Sequence, residues 1–230
     1  MRNRRCRILT KVGLDIEMDR RISTKMPSDY SEWIQLQTTA GGLPASIIGY
    51  CLMLLVKIFA HYDLRNPNLI DPREPAGKYL DKETVPSRPE ERPGMHRWPV
   101  PQRQVNQIPN DAEYEMLTKH LDTWIFKQKE EGKEITKGQA FDSLNAYYLK
   151  GYELFHIHPI DKSLHCMMHP ADGKLLVEKG WAEWFGLTGK VWQPRGCVFH
   201  YSVRTGEEMA MLEKVWDAAV AFVIQEKIKH

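Results

Sequence analysis

The sequence predicts an α+β fold, a two-layer domain in which a small antiparallel sheet carries helices packed on one face, preceded by an N-terminal helix and a proline-rich extended wrap. Three observations predict it. Residues Tyr152 to His158, Ser163 to His169 and Gly196 to Val203 read as short strands, the first two joined by a hairpin-like turn at Pro159 to Lys162. The segments that start at Asn110 and Glu207 carry apolar residues at helical spacing. Nine of the fourteen prolines fall between Pro67 and Pro109, a composition that suits extended chain better than packed helices. A few helices must bury their apolar stripes against something, and a small sheet with one apolar face is the simplest partner.

The elements follow in order. At 230 residues and 42% hydrophobic, the chain is long enough for one real core. Residues 1–28 read as a basic variable tail and 29–228 as a single domain, with 97–228 as its compact α+β core. A net charge of +2 gives no case for nucleic-acid binding. Residues 1–25 hold eight basic and three acidic side chains, which suits a solvated tail or peripheral contact with an anionic membrane. Asp15, Glu17 and Asp19 argue against an organelle presequence, and no apolar run follows Arg7 as a secretory signal requires. Leu43 to Ala60 is the most apolar stretch, yet its charge-free part ends at Val56, short of the roughly 20 residues of a spanning helix. Ile47, Ile48, Cys51, Leu52, Leu55 and Ile58 fall on one helical face, predicting a buried or membrane-interfacial helix.

Trp98 to Val105 is expected to begin an edge strand, where proline is tolerated. Asn110 and Glu113 form a capping-box pattern ahead of Tyr114, Leu117, Leu121, Trp124 and Ile125, and Gly132 ends that helix. Ala171 to Lys179 reads as a short helix closed by Gly180. The last helix begins at Glu207 and lines up Leu212, Val215, Trp216, Ala219, Phe222 and Val223 as core. Cys6, Cys51, Cys166 and Cys197 form no CxxC or zinc spacing and read as structural, suiting a reducing cytoplasmic setting.

Chemistry concentrates in His156 to His169, where four of the nine histidines lie within 14 residues. Side chains two apart in a strand share a face, so His156 and His158 point the same way. If the turn brings the second strand back in register, His165 joins them, while Ile157 and Cys166 point toward the helices; a slip of one residue would send His165 to the other face. Three imidazoles together can supply a general base, since crowding disfavours their charged forms. They can equally hold a metal through His156, His158 and His165, or hydrogen-bond as a structural cluster. Asp161 and Glu153 are near in sequence but have no motif spacing. His169 and His200 are weaker candidates. Arg204 and Lys174 are candidate cations for an anionic intermediate, Tyr201 a candidate hydrogen-bond donor, and Trp184 a candidate stacking surface.

Several ordered pieces together resemble the fungal luciferase family and its luciferase-like relatives: Gly41-Gly-Leu-Pro44, Pro101-Gln-Arg-Gln104, His156-x-His158, Ser163-Leu-His165, Ala171 to Trp181, and Tyr201-x-x-Arg204 followed by Glu207-Glu208. The resemblance spans about residues 30 to 225. It implies a cofactor-independent oxygenase, a luciferase-like monooxygenase that adds dioxygen to a planar, enolisable aromatic or hydroxypyrone of the hispidin type. Its partners would be that small molecule and dioxygen, with no cofactor, and with His156, His158 and His165 as catalytic residues. The chain departs from the pattern after Trp181, where Ala182 to Gly189 lacks the family's Arg-His pair, and Phe141 to Tyr152 looks shorter than the family's corresponding segment. Those departures motivate a second expectation, a non-catalytic binding or scaffold protein that retains the fold.

Overall fold

A computed structural model describes residues 28–37, 43–70, 75–140, 143–190 and 193–227. Along the chain come α1 (Ser28–Gln35), α2 (Ile47–Phe59), α3 (Asp111–Glu130), β1 (Ile135–Ala140), β2 (Ser143–Leu149), β3 (Tyr152–Ile157), β4 (Leu164–Met167), α4 (Pro170–Lys179), β5 (Ala182–Trp184), β6 (Cys197–His200) and α5 (Gly206–Phe222), which ends in a π turn at Val223–Lys227. The strands form one six-stranded sheet in the order β1-β2-β3-β4-β6-β5, every pair antiparallel. The α+β fold class read from the sequence is the one observed. The basic segment 1–25, with Cys6, and Gly41-Gly42 lie outside the described residues.

Local chemistry accounts for the helix ends. Asn110 accepts from the Glu113 amide at 3.0 Å while the Glu113 carboxylate accepts from the Asn110 amide at 2.7 Å, so the capping box is complete. Pro170 opens α4 where no amide is needed, and Gly180 closes it at φ 82°, a left-handed conformation that costs a side chain dearly. Thr205 caps α5 by accepting from the Glu208 amide.

Helices α3, α4 and α5 lie on one sheet face and bury the main core. Phe155 on β3 stacks on Trp216 of α5 at 5.2 Å and on Tyr147 of β2 at 5.0 Å, with Trp124 of α3 5.3 Å from Trp216. Ile157, Cys166, Val198 and Trp184 fill the same layer. Gly173 lets α4 approach closely, since a Cβ there would sit 2.7 Å from the Trp184 ring and 2.9 Å from Val198.

The proline-rich wrap serves both faces: Leu80 and Val85 pack into the helix-side core, while residues 100–104 cross the opposite, wrap face, and polar anchors pin both parts. Asp172 Oδ1 accepts from the amides of Lys78, Tyr79 and Leu80 at 2.6–2.9 Å, tying the wrap to α4. Gln104 donates to Ser202 Oγ at 2.6 Å and to the carbonyls of Asn106 and Gln107, and accepts from the Ser202 amide. Trp33, Leu36, Met53 and Trp98 make a satellite cluster joining α1, α2 and the wrap.

The structure differs from expectation at four places. Trp98 to Val105 forms no strand; Gln104 makes an isolated bridge to Met95 and the segment crosses the sheet as a strap. Three expected strands are joined by β1, β2 and β5. The segment before His156 holds a complete strand, β2, paired with β1 on one side and β3 on the other. Helix α2 is not buried: Ile47, Ile48, Leu55, Ile58 and Phe59 are each more than half exposed. No described helix is long and apolar enough to cross a membrane.

Candidate functional site

Register decides the site. His156 pairs directly with His165 across β3 and β4, with Phe155 opposite Cys166 and Ile157 opposite Leu164. Alternation then puts His156, His158 and His165 on the wrap face and Ile157 and Cys166 among the helices, as the sequence predicts. The turn that permits this register closes with the Lys162 amide donating to the His158 carbonyl, Lys162 adopting φ 59°.

The three rings form a tight triangle, with centroids 5.1, 5.1 and 4.7 Å apart. One nitrogen from each lies within 4.8 Å of the other two. All three rings are buried, His158 completely. Phe185 packs edge-on against His165 at 4.5 Å, and Phe199 lies 5.5–5.7 Å from His165 and His158, giving the triangle an apolar wall.

Acids hold two of the rings from behind. His156 Nδ1 lies 2.6 Å from Glu153 Oε1. In a regular strand residues three apart face opposite ways; here β3 bulges against β2 between the Tyr147–Phe155 and Tyr148–Glu153 pairs, so Leu154 is the extra residue and Glu153 swings to the His156 side. His158 Nδ1 lies 2.8 Å from Ser163 Oγ, which donates to Asp161 Oδ2 at 2.8 Å; Asp161 Oδ1 is 3.7 Å from the same ring nitrogen. Burial pushes the Asp161 carboxyl above its usual range, opposed by nearby Arg103, the Gln104 amide and Ser163. Asp161 is thus the join between the imidazole triangle and the strap, because the Gln104 amide donates to it at 2.7 Å.

A second polar group lies two strands away on the same face. His165 pairs with Phe199, and Phe199 with Glu183, which places Glu183 about 10 Å from His165 at the usual strand spacing. Glu183 accepts from Gln102 Nε2 at 2.7 Å, Arg65 Nε at 3.3 Å and the Tyr201 hydroxyl at 3.3 Å. Burial raises both the Glu183 carboxyl and the Tyr201 phenol above their ordinary ranges. Beside Glu183 opens a cavity of about 380 Å³ lined by Tyr62, Arg65, Arg97, Trp98, Gln102 and Lys57 among others.

The remaining sequence-predicted residues sit elsewhere. Trp184 is fully buried on the helix face and donates through Nε1 to the Asn66 carbonyl. Lys174 lies on α4, in the helix layer. Arg204 pairs with Glu90 and with Glu208 at the start of α5. Of the four, Tyr201 alone shares the face of the triangle. His169 caps α4, accepting from the Ala171 amide at 3.1 Å. His200 faces the helices, its ring parallel to Trp181 at 6.4 Å, and burial lowers its pKa to about 4.

Sequence reasoning missed the roles of Ser163, Gln102, Gln104, Arg103 and Glu183. One signal was present: Pro101-Gln-Arg-Gln104 puts three polar side chains in a row, and all three are buried.

The model of the Luciferase domain family matches residues 151–219, from the start of β3 into α5. That span, which is similar to the Luciferase domain, contains the whole imidazole triangle with Glu153, Asp161 and Ser163, and Glu183 and Tyr201 as well. No curated protein and no solved structure matches the chain.

Proposed function

We propose that this protein is a luciferase-like oxygenase that joins dioxygen to a planar, enolisable aromatic or hydroxypyrone, with His156, His158 and His165 as its reacting centre. The observation that carries the reading is the buried triangle itself, inside the span similar to the Luciferase domain, with carboxylate chemistry behind two of its rings. A carboxylate on Nδ1 fixes the tautomer and makes Nε2 the basic nitrogen, the arrangement a proton acceptor for an acidic enol requires. The cavity beside Glu183, about two strands from the triangle, supports the substrate class: Tyr62 offers a flat exposed face, and Lys57, Arg65 and Arg97 bring cationic groups to its lining. Glu183, which lines that cavity and is held from behind by the Tyr201 hydroxyl, is the polar group that orients the substrate there.

Dioxygen consumption by the purified protein, followed with an oxygen electrode across a panel of hydroxypyrones and related enols, tests the reading. Uptake that disappears in His158→Asn while the protein stays folded is expected. Tight binding of the same compounds without turnover would establish the scaffold alternative instead.

The exposed apolar face of α2 adds peripheral membrane contact to this proposal, as a hydrophobic substrate would favour. The protein is expected to co-sediment with phosphatidylserine vesicles through Ile48 and Ile58. A protein that stays in the supernatant at low salt removes this part.

A further inference from the structure

We infer that His156, His158 and His165 form a binding site for one divalent first-row transition-metal ion. The inference takes from the oxygenase reading only the choice of the triangle as the centre; an ion there would occupy the Nε2 lone pairs that the base reading uses, so the two roles of Nε2 are alternatives that the experiment separates.

Geometry comes first. The candidate ligand nitrogens come from two directly paired strands, and all lie within 4.8 Å of one another. A tetrahedral site with metal–nitrogen bonds of about 2.0–2.1 Å needs nitrogens roughly 3.4 Å apart, so the rings close in by small side-chain rotations. The strands beneath them are fixed by pairing on both sides, β3 with β2 and β4 with β6. The scaffold is therefore set before an ion arrives.

The outer partners are those that metal-bound histidines use. A coordinating imidazole commonly gives its other ring N–H to a carboxylate, which fixes the tautomer and strengthens the ligand. His156 Nδ1 does this with Glu153 directly, at 2.6 Å. His158 Nδ1 does it through Ser163, which is in turn bonded to Asp161. With Nδ1 committed on both rings, Nε2 is the coordinating atom of each.

Charge agrees with this. A divalent ion on three neutral imidazoles would be costly in a buried site without compensating negative charge. Glu153 and Asp161 place two carboxyl groups just behind the ligands. Arg103, the cation acting on Asp161, is held by the Gln102 carbonyl through its Nη1 at 2.7 Å. The ligand set also selects the ion. Three imidazoles with no oxygen ligand suit zinc, iron, nickel or copper, whereas calcium and magnesium require oxygens.

The experiment uses the full chain, purified without chelators or an affinity tag that binds metal. Elemental analysis should find about one equivalent of a first-row metal per chain, and cobalt(II) added to chelator-stripped protein should give the visible absorption bands of an imidazole-bound ion. His165→Asn should lose both signals while far-ultraviolet circular dichroism stays unchanged. Glu153→Gln keeps all three ligands and should weaken cobalt binding by about 10–100-fold; it also serves if the His165 variant fails to fold. His169→Asn, outside the triangle, should bind normally. No metal on purification together with no cobalt spectrum at millimolar cobalt overturns the inference, as does equal binding by wild type and the His165 and Glu153 variants. Metal bound without any dioxygen uptake leaves the site standing and removes the oxygenase reading. Uptake that persists in stripped protein without cobalt binding does the reverse.

Discussion

On the helix-covered face of the sheet, Phe155, Ile157, Cys166 and Val198 meet Trp124, Leu212 and Trp216 in an apolar layer. On the strap-covered face the same strands present His156, His158, His165 and Glu183 to Gln102, Arg103 and Gln104, all buried. The two faces differ in what burial requires. Apolar side chains need only volume and fit, so the helix face is held by shape. Buried polar groups need partners with direction, so the strap face is held by named hydrogen bonds to a segment some 50 to 100 residues distant in sequence, such as Gln104 to Asp161 and Ser202. A face built this way costs stability and retains chemical capacity, which is what an active centre requires.

The largest effect that separates the faces is expected from Trp216→Ala. It removes a ring stacked on Phe155 and packed on Trp124, and should cost about 3–5 kcal/mol in urea unfolding. Activity per folded molecule should be unchanged, because the side chain lies across the sheet from the triangle. A Trp216→Ala protein that folds fully but neither binds cobalt nor takes up dioxygen would break the division of labour between faces.

His200 gives the next largest effect. It is the one imidazole among these strands on the helix side, and burial, aided by Arg88, lowers its pKa to about 4. The sign follows from linkage. Below the unfolded value of about 6.5 the unfolded chain takes up a proton that the folded protein refuses. The stabilisation is thus complete above that pH and is lost as pH falls toward about 4. The total is on the order of 3 kcal/mol, and His200→Asn should flatten that part of the stability–pH curve. Parallel curves for wild type and variant between pH 7 and 4.5 would show that His200 titrates normally.

Gln104→Ala tests the strap itself. It leaves the Ser202 amide without its side-chain acceptor and Ser202 Oγ without its 2.6 Å donor, a loss of about 1–3 kcal/mol. Because the neighbouring backbone amide holds Asp161, the same change should weaken metal or substrate binding at the triangle. Wild-type binding with lowered stability would show that the strap covers the site without tuning it.

The two faces were also unequally legible in the sequence. Period-two alternation and a turn of four residues suffice to place His156, His158 and His165 together, because one register satisfies both the apolar and the polar sides. The capping box at Asn110 and Glu113 is likewise local. Strand β5 is three residues long and exists through its pairing with β6, so no local pattern announces it. The β1 strand, with Lys137 and Gly138, is an edge strand of mixed polarity and carries no clean alternation. The partners of the triangle were hidden for a different reason. Glu153 reaches His156 only through the Leu154 bulge, and Gln104 reaches Asp161 only through the tertiary fold.

Arg204 should give the smallest effect and sharpen the comparison most cheaply. Its place beside Tyr201 in sequence suggests a cation for an anionic intermediate, a role that would make its loss severe. In the structure its guanidinium meets Glu90, whose side chain is 46% exposed, and Glu208 at 3.4 Å. Glu208 does not depend on it alone. The Arg88 guanidinium pairs with Glu208 Oε1 at 3.2 Å, the Arg204 backbone amide, which any substitution keeps, donates to Oε2 at 2.7 Å, and the Glu208 amide is capped by Thr205. What remains is a partly exposed ion pair, of the kind that contributes about 0–1 kcal/mol. Arg204→Gln should therefore shift the urea midpoint slightly, more at low salt than at high, and leave cobalt binding and dioxygen uptake at wild-type levels. A collapse of uptake in a stable Arg204→Gln protein would extend the reacting centre beyond the end of β6, and the strap face would then be only part of the machinery.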